Sequence, residues 1–274
     1  MAGLGIRKVR VTGGEPLLRP GVIDFIGGLK QISGLEDIAI TTNGYLLPEM
    51  AKALATAGSI RVTVSLDSMN PGKSARITRT PASFERVMAG IEAALEAGLK
   101  PVKVNIVLVR GFNDDEIVEF ARLARREELV VRFIEFMPLD ADHTWDPRLV
   151  VTAREIIEAI TPVYPLVEIP RRSPSETALR YRFADGQGEI GIIAPVSIPF
   201  CGQCSRIRVT ADGKIRTCLF SLKEHDIRYL LRNGHTDNDI EQFLVKTVSH
   251  KEPGHRINEP DFVQPARTML YIGG

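Results

Sequence analysis

The sequence predicts an α/β protein, with an incomplete parallel β/α barrel over residues 1–140 and a smaller α+β region over 141–274. Three observations carry this expectation. Short β-branched runs alternate with helical stretches from residue 6 to residue 138. That rhythm stops after Pro138, where the polar loop LDADHTWDPR begins. All three cysteines then fall within CGQCSRIRVTADGKIRTC, residues 201–218. Strand alternating with helix implies right-handed crossovers and a parallel sheet.

In chain order, the strands are expected at Ile6–Thr12, Asp37–Thr42, Ile60–Leu66, Val102–Val109 and Val130–Met137. Most read as continuous apolar or Thr-rich runs, the pattern of parallel strands covered on both faces. The intervening helices are expected at Val22–Gln31, Pro48–Ala57, Ser83–Ala97 and Asp114–Arg126. Pro48 suits the first helical position, Ser83 and Asp114 suit N-caps, and Gly58 and Gly98 suit left-handed C-caps. Beyond residue 140, Thr152–Ile160 reads as a helix. SPSETALRYRFADGQGEIGIIAP reads as a hairpin turning at Asp185–Gly186. After the cysteine segment come helices near Asp226–Arg232 and Asp237–Thr247, then an irregular tail ending YIGG.

Bulk properties narrow the function. A net charge of +1 supplies no global field for nucleic acid or anionic lipid, so anion binding must come from local clusters. No apolar run approaches the roughly 20 residues of a membrane helix, and MAGLGIRKVR has no signal-peptide core. A cytoplasmic location is the expectation. Three clustered cysteines in a reducing compartment favour metal over disulfide.

Within the cysteine segment, Arg206–Thr210 and Lys214–Leu219 alternate around Ala211-Asp212-Gly213. A two-residue turn would pair Val209 with Arg216. A three-residue loop with Gly213 left-handed pairs Ile215 with Val209 and Arg216 with Arg208. Only the second register separates an apolar face (Ile207, Val209, Ile215, Leu219) from a polar one. It also gathers Cys204, Arg206, Arg208 and Cys218 on one side, so thiolates meet guanidiniums that suit a phosphate or carboxylate. Two metal readings stand side by side. One is a tetrahedral structural zinc with His225 as fourth ligand. The other is a [4Fe–4S] cluster with one iron open to substrate.

At the other end, VRVTGGEPLLRP places two glycines after the first strand, where positive φ and close backbone approach are allowed. GGEP resembles the S-adenosylmethionine-binding motif of radical-SAM enzymes. The set IRKVRVTGGEPLLR, TTNGYLL, VTVSLDS, RFIEFMP, CGQCSRIRVTADGKIRTCL and a terminal Gly-Gly resembles the GTP 3′,8-cyclase family of molybdenum cofactor biosynthesis. The resemblance spans nearly the whole chain, with the motifs in the family's order. It implies a radical-SAM partial TIM barrel followed by an auxiliary iron–sulfur region. It places Gly13, Gly14 and Glu15 at the methionyl part of the cofactor, and Ser65 in contact with the cofactor. Met137 and Arg132 approach the adenine and carboxylate ends. On the GTP side it places Arg10, Thr41, Lys103 and the Arg206-Ile207-Arg208 stretch. Cys201, Cys204 and Cys218 become ligands of an auxiliary [4Fe–4S] cluster whose open iron meets guanine, and Gly273 and Gly274 a catalytic tail. The implied partners are GTP as substrate and the downstream cyclic pyranopterin monophosphate synthase. A homodimer is an allowed assembly, and nucleic acid and membrane are not involved. Arg125-Arg126 and Arg171-Arg172 read as solvated surface.

One family feature has no counterpart. The family's C-x3-C-x2-C loop for the radical-generating cluster lies upstream of GGEP, and only twelve residues precede Gly13 here. The second [4Fe–4S] cluster is therefore expected only in a longer protein. The expectation is an N-terminally incomplete chain that lacks the first barrel unit, exposes the Ile6–Thr12 edge and does not turn over alone. The competing readings are another radical-SAM maturase with an auxiliary cluster, or a zinc-stabilised module without enzymatic activity.

Overall fold

A computed structural model describes residues 1–58, 60–126, 128–140 and 144–272. In its first half, strands β1 (Lys8–Val11), β2 (Asp37–Thr42), β3 (Arg61–Ser65), β4 (Val102–Leu108) and β5 (Leu129–Glu135) alternate with helices. The helices are α1 (Val22–Lys30), α2 (Leu47–Ala57), α3 (Pro71–Thr78), α4 (Ser83–Glu96) and α5 (Ile117–Leu123). Helix α6 (Ala153–Ile160) and strands β6 (Leu166–Ile169), β7 (Leu179–Phe183) and β8 (Glu189–Ile193) follow. Among the described residues one eight-stranded sheet runs β1-β2-β3-β4-β5-β8-β7-β6. β1 to β5 and β8 pair in parallel; β7 and β6 run antiparallel. The sheet is open, with β1 and β6 at its ends, as a partial barrel requires. It continues across residue 140, where the sequence suggested a division.

The strands alternate more than their composition indicated. Ile38, Ile40, Val62, Val64, Val104, Ile106, Val131 and Phe133 are fully buried under the helices, within a core that includes Ile26, Leu54, Ile91 and Phe120. The intervening positions, Arg10, Thr41, Thr63, Lys103, Asn105 and Arg132, share the opposite, inner face. The expectation of apolar cover on both faces is corrected: the inner face is polar.

Helix boundaries fall close to expectation, but several caps do not. Pro48 is the second residue of α2, after Leu47. Ser83 lies inside α4, buried against Ser74, and Ala82 with φ 53° takes the cap position. Asp114 opens a 3-10 turn and accepts from the amide of Gly111. Gly98 is left-handed at φ 80°, whereas Gly58 has positive φ with an extended ψ. Helix α3 escaped the sequence reading because it has no apolar stripe. Asn70 caps it by accepting from the Lys73 amide at 3.0 Å, and Pro71 stands at its start.

The C-terminal region holds a three-stranded sheet, order β11-β10-β9, of β9 (Arg208–Val209), β10 (Lys214–Arg216) and β11 (His225–Asp226). Helices α7 (Ile227–Arg232), α8 (Asp237–Ser249) and α9 (Met269–Ile272) complete it. Ile215 pairs with Val209 and Arg216 with Arg208, the register that the three-residue loop requires, and Gly213 is left-handed at φ 78°.

One carboxylate ties this region to the barrel. Glu135, fully buried at the end of β5, accepts from the amides of Ala153 (3.0 Å), Val196 (2.8 Å) and Ser197 (2.9 Å), and from the Ser197 hydroxyl. It fixes the start of α6 and the segment leading to Cys201. Replacing it by Leu strands one buried and two part-buried N–H groups, so Glu135→Leu should cost about 3 kcal/mol in urea unfolding. Glu135→Gln should fall between the two. A loss for Glu135→Leu below about 1 kcal/mol would show that this tie is dispensable.

Candidate functional site

The inner face of the sheet gathers cations with few acids to answer them. Arg10 on β1 donates to the hydroxyls of Thr41 (2.8 Å) and Thr63 (3.2 Å). Arg132 on β5 donates to the Asn105 side chain (2.8 Å) and to the same Thr63 hydroxyl (3.3 Å). Two guanidiniums therefore meet on one neutral oxygen. Gly191, opposite Arg132 on β8, leaves the space its stem needs, since a Cβ there would lie 3.2 Å from Arg132 Cγ. Burial, reinforced by Arg10 and Arg61, pushes the Arg132 guanidinium down to about 9. Burial and the nearby Arg61 push Arg10 down to about 10.

Lys103 on β4 has no ion pair or hydrogen bond among the described residues. Burial, with Arg132, Arg61 and Arg172 around it, lowers its ammonium to about 8. Arg61 sits at the floor of this group, paired through its Nε with Asp37 at 2.7 Å. Arg171 and Arg172 are exposed, as the sequence suggests; Arg172 pairs with Glu189 at 3.5 Å, and its charge reaches Lys103. Arg126 is exposed too, but Arg125 corrects the surface reading: it is half-buried, pairs with Asp185 at 2.6 Å and lies over the Tyr164 ring. Thr63 and Arg61 were missed, although their inward parity with Ser65 in RVTVS was available as a signal.

At the C-terminal rim of the strands, Gly13 and Gly14 follow β1 with open space beside both. Glu15 spends its carboxylate on the protein itself. It accepts from the Thr42 hydroxyl (2.7 Å), the Asn43 amide (2.7 Å) and the Leu17 amide (2.9 Å), locking the glycine loop to the end of β2. Ser65 stands exposed at the end of β3. Met137, beyond β5, packs in a second cluster with Cys218, Leu219 and Ile272. Arg132 is level with Ser65 across the sheet, through Asn105, and its guanidinium lies with the cation group.

The three cysteines are free and half-buried. Cys201 begins a short 3-10 turn whose carbonyl accepts from the Cys204 amide at 3.0 Å. Gly254 approaches so closely that a Cβ there would lie 2.9 Å from Cys201 Cβ. Lys251 donates to the carbonyls of Arg206 and Thr217, one on each side of the hairpin. Burial raises the Cys218 thiol. Burial also pushes Cys204 upward, but hydrogen bonding and charge from Arg206, with help from Lys251, leave it below its ordinary value. Arg206 itself is exposed and lies over the Phe200 ring at 5.5 Å, with half-buried Ile207 beside it. Arg208 joins the two groups. Burial and Arg206 lower it to about 10, with Arg10 adding to the fall, while Cys218 and Cys204 oppose it. Its charge is thus coupled both to the thiols and to the barrel cation Arg10.

His225 is not placed to complete a zinc site. It pairs with Ile215 on β10, and its ring meets Phe243, on the apolar side of the small sheet. Arg216, which points to the other side, is neutralised by Glu224 at 2.7 Å. Among the described residues no three His, Cys, Asp or Glu side chains converge tightly enough to hold a bare metal ion. The donor set of three unpaired thiols, ringed by Arg206, Arg208 and Lys251, fits a larger thiolate-bound, anionic centre. Gly273 and Gly274 lie outside the described residues. Ile272, just before them, is buried beside Met137 and Cys218.

Comparison with known proteins agrees with this division of motifs. Residues 1–124 match the radical SAM superfamily, and residues 129–257 match the family described as Molybdenum Cofactor Synthesis C. A GTP 3′,8-cyclase from Thermodesulfovibrio yellowstonii is 43% identical over 272 residues, covering 99% of this chain and 82% of the relative. The chain belongs to the GTP 3′,8-cyclase family of radical SAM enzymes. A second relative, from Moorella thermoacetica, is 44% identical and covers 100% of the chain and 83% of its own length. A solved radical SAM methyltransferase from Sphaerobacter thermophilus overlaps 55% of this chain and 46% of its own, with TM-score 0.44 and 20% identity. Radical SAM enzymes work with a [4Fe–4S] cluster and S-adenosylmethionine.

The cation group has a measurable cost. The fold lowers the Lys103 ammonium from its ordinary 10.5 to about 8, so below pH 8 the folded state carries a desolvated charge. Stability from this residue is regained as pH rises from 8 to 10.5. Lys103→Met should therefore stabilise the chain at pH 7, by an amount on the order of 2 kcal/mol. Chemical denaturation at pH 7 checks the sign, and a destabilised variant would refute it.

Proposed function

We propose that the chain binds GTP between the barrel cations and the cysteine hairpin, and contributes these surfaces to a GTP 3′,8-cyclase. The reaction converts GTP into (8S)-3′,8-cyclo-7,8-dihydroguanosine 5′-triphosphate in molybdenum cofactor biosynthesis. The observation that carries this reading is Arg208 on the hairpin, whose charge is felt by Cys204 and Cys218 and by Arg10 of the barrel. A ligand bridging those groups must be anionic at one end and able to meet a metal centre at the other. A nucleoside triphosphate satisfies both.

In this reading Arg10, Thr41, Lys103, Arg132, Arg206 and Arg208 hold the polyphosphate, with Ile207 packing beside it. Arg132, level with Ser65 across the sheet, is proposed to meet the carboxylate end of the cofactor as well. Bringing anionic oxygens among desolvated guanidiniums restores the solvation those groups lost on folding. Cys201, Cys204 and Cys218 would hold an auxiliary [4Fe–4S] cluster, which would supply a metal centre for the guanine. Gly13, Gly14, Ser65 and Met137 line the S-adenosylmethionine shelf, and Glu15 keeps its glycines in place. The cofactor and its reducing cluster supply the radical chemistry at the ribose. The barrel's part is to hold that ribose near the shelf while the hairpin fixes the base. The 274 residues contain three cysteines, enough for one thiolate-bound cluster, so the chain by itself is proposed not to turn over. Gly273 and Gly274 are proposed to reach the site from buried Ile272.

The division near residue 140 is functional in this scheme. Residues 1–140 supply the cofactor shelf and most of the cation group, and 141–274 supply the auxiliary centre. Release of product to a cyclic pyranopterin monophosphate synthase, a cytoplasmic setting and an allowed homodimer belong to the same proposal. The three unpaired cysteines agree with a reducing compartment.

Metal analysis after anaerobic reconstitution is the decisive test. About four irons with matching sulfide, lost in Cys→Ser variants of 201, 204 or 218, are expected. About one zinc without sulfide would overturn the cluster. In calorimetry, Arg208→Met should weaken GTP binding about 10-fold or more, the loss of a charged hydrogen bond. GTP affinity should also fall as pH rises through and above 8, where the Lys103 ammonium becomes neutral, and Lys103→Met should abolish that step.

A further inference from the structure

One ammonium bridges the two arms of the cysteine hairpin beyond their ladder. Strands β9 and β10 pair only Arg208 and Val209 with Arg216 and Ile215. The cysteines lie past that ladder, on arms that a two-residue pairing does not align by itself. Lys251, just after α8, reaches back across the hairpin. Its Nζ donates to the Arg206 carbonyl at 2.9 Å and to the Thr217 carbonyl. These carbonyls stand two residues from Cys204 and one residue from Cys218.

The residues after Lys251 extend the same hold. Glu252 accepts from the Thr217 hydroxyl at 2.6 Å and from the Ser221 hydroxyl. Gly254 lies against Cys201, where any side chain would collide. One four-residue segment thus touches the surroundings of all three cysteines. An ammonium has three donors, and no carboxylate lies within ion-pair distance of Lys251 among the described residues. Its charge is felt by both thiols and is partly offset at Cys218 by Glu252.

We infer that Lys251 is a positioning residue for the auxiliary iron–sulfur site: its ammonium sets the separation of the Cys204 and Cys218 arms and leaves a positive charge beside their thiolates. This rests on reading the three cysteines as cluster ligands. A group held this way acts on a cluster twice. It fixes ligand geometry, and its charge favours the reduced, more negative state, which raises the midpoint potential. Methionine at 251 would fill similar space but donate nothing, whereas arginine keeps both charge and donors.

The test compares wild type, Lys251→Met and Lys251→Arg after anaerobic reconstitution. Readouts are iron per chain, the cluster's midpoint potential by redox titration, and the thermal unfolding midpoint. Lys251→Met should retain less iron, and the cluster it does hold should titrate at a more negative potential. Lys251→Arg should return the potential toward wild type. An unchanged potential in Lys251→Met overturns the inference whatever its stability. In the metal-free chain, the backbone amides of residues 204–206 and 217–218 should exchange hydrogen severalfold faster in Lys251→Met than in wild type. Equal exchange would remove the clamp. A wild-type chain that binds no iron would instead sink the cluster reading, and the exchange rates would then decide the clamp by themselves.

Discussion

The rest of the structure is organised around a charge that the protein does not neutralise. Arg10 and Arg132 share the Thr63 hydroxyl, and Lys103 lies beside them without a partner among the described residues. Like charges held this close, away from water, oppose folding. They persist because the other face of the same strands is covered by fully buried Val, Ile and Phe, and that burial provides the driving force. A threonine is informative at this junction. An acid in its place would satisfy both arginines and remove the attraction for an incoming anion.

The buried acids are used elsewhere. Glu15 closes the glycine loop onto β2, Glu135 pins α6 and the approach to Cys201, and Glu116 accepts from the Ser68 hydroxyl and the Met69 amide just after β3. Glu15 and Glu135 spend their oxygens largely on backbone N–H groups, where a carboxylate holds a loop more firmly than a neutral acceptor would, and Glu116 divides its own among the Ser68 hydroxyl, the Met69 amide and Lys73. The chain has 35 basic and 34 acidic residues, so its net charge reports nothing of this separation. Acids near the strand ends fix the loops, and bases on the inner face remain available.

Much of this was legible in the sequence, and the exceptions have physical reasons. The hairpin register was readable because only one pairing separates Ile215 and Val209 from Arg208 and Arg216, and the observed pairs follow it. The barrel strands were readable from their β-branched runs, but the polarity of their inner face was not, because Thr and a single Lys or Arg hardly interrupt such a run. Helix α3 had a good cap and no apolar stripe. Arg125 looked like surface because a charge pair in sequence tells nothing about the ring it folds over. Lys251 gave no signal at all. Its partners are carbonyl oxygens 34 and 45 positions away, and any sequence can supply those.

The same reasoning explains why the site spans both halves of the chain. The barrel alone offers an anion seat with nothing to distinguish one polyphosphate from another. The hairpin alone offers three thiols beside Arg206 and Arg208, with no depth in which to hold a nucleotide. Arg208 is the residue at which these incomplete sites meet, since its charge is felt by Cys204 and Cys218 and by Arg10. Its position depends on the hairpin register, on Glu135 holding the chain that leads into Cys201, and on Lys251 holding the arms. If the proposed nucleotide site is right, selectivity for a ligand with an anionic tail and a metal-binding head would be a property of how the two regions are joined, and a change at the join should alter it without touching either end of the ligand.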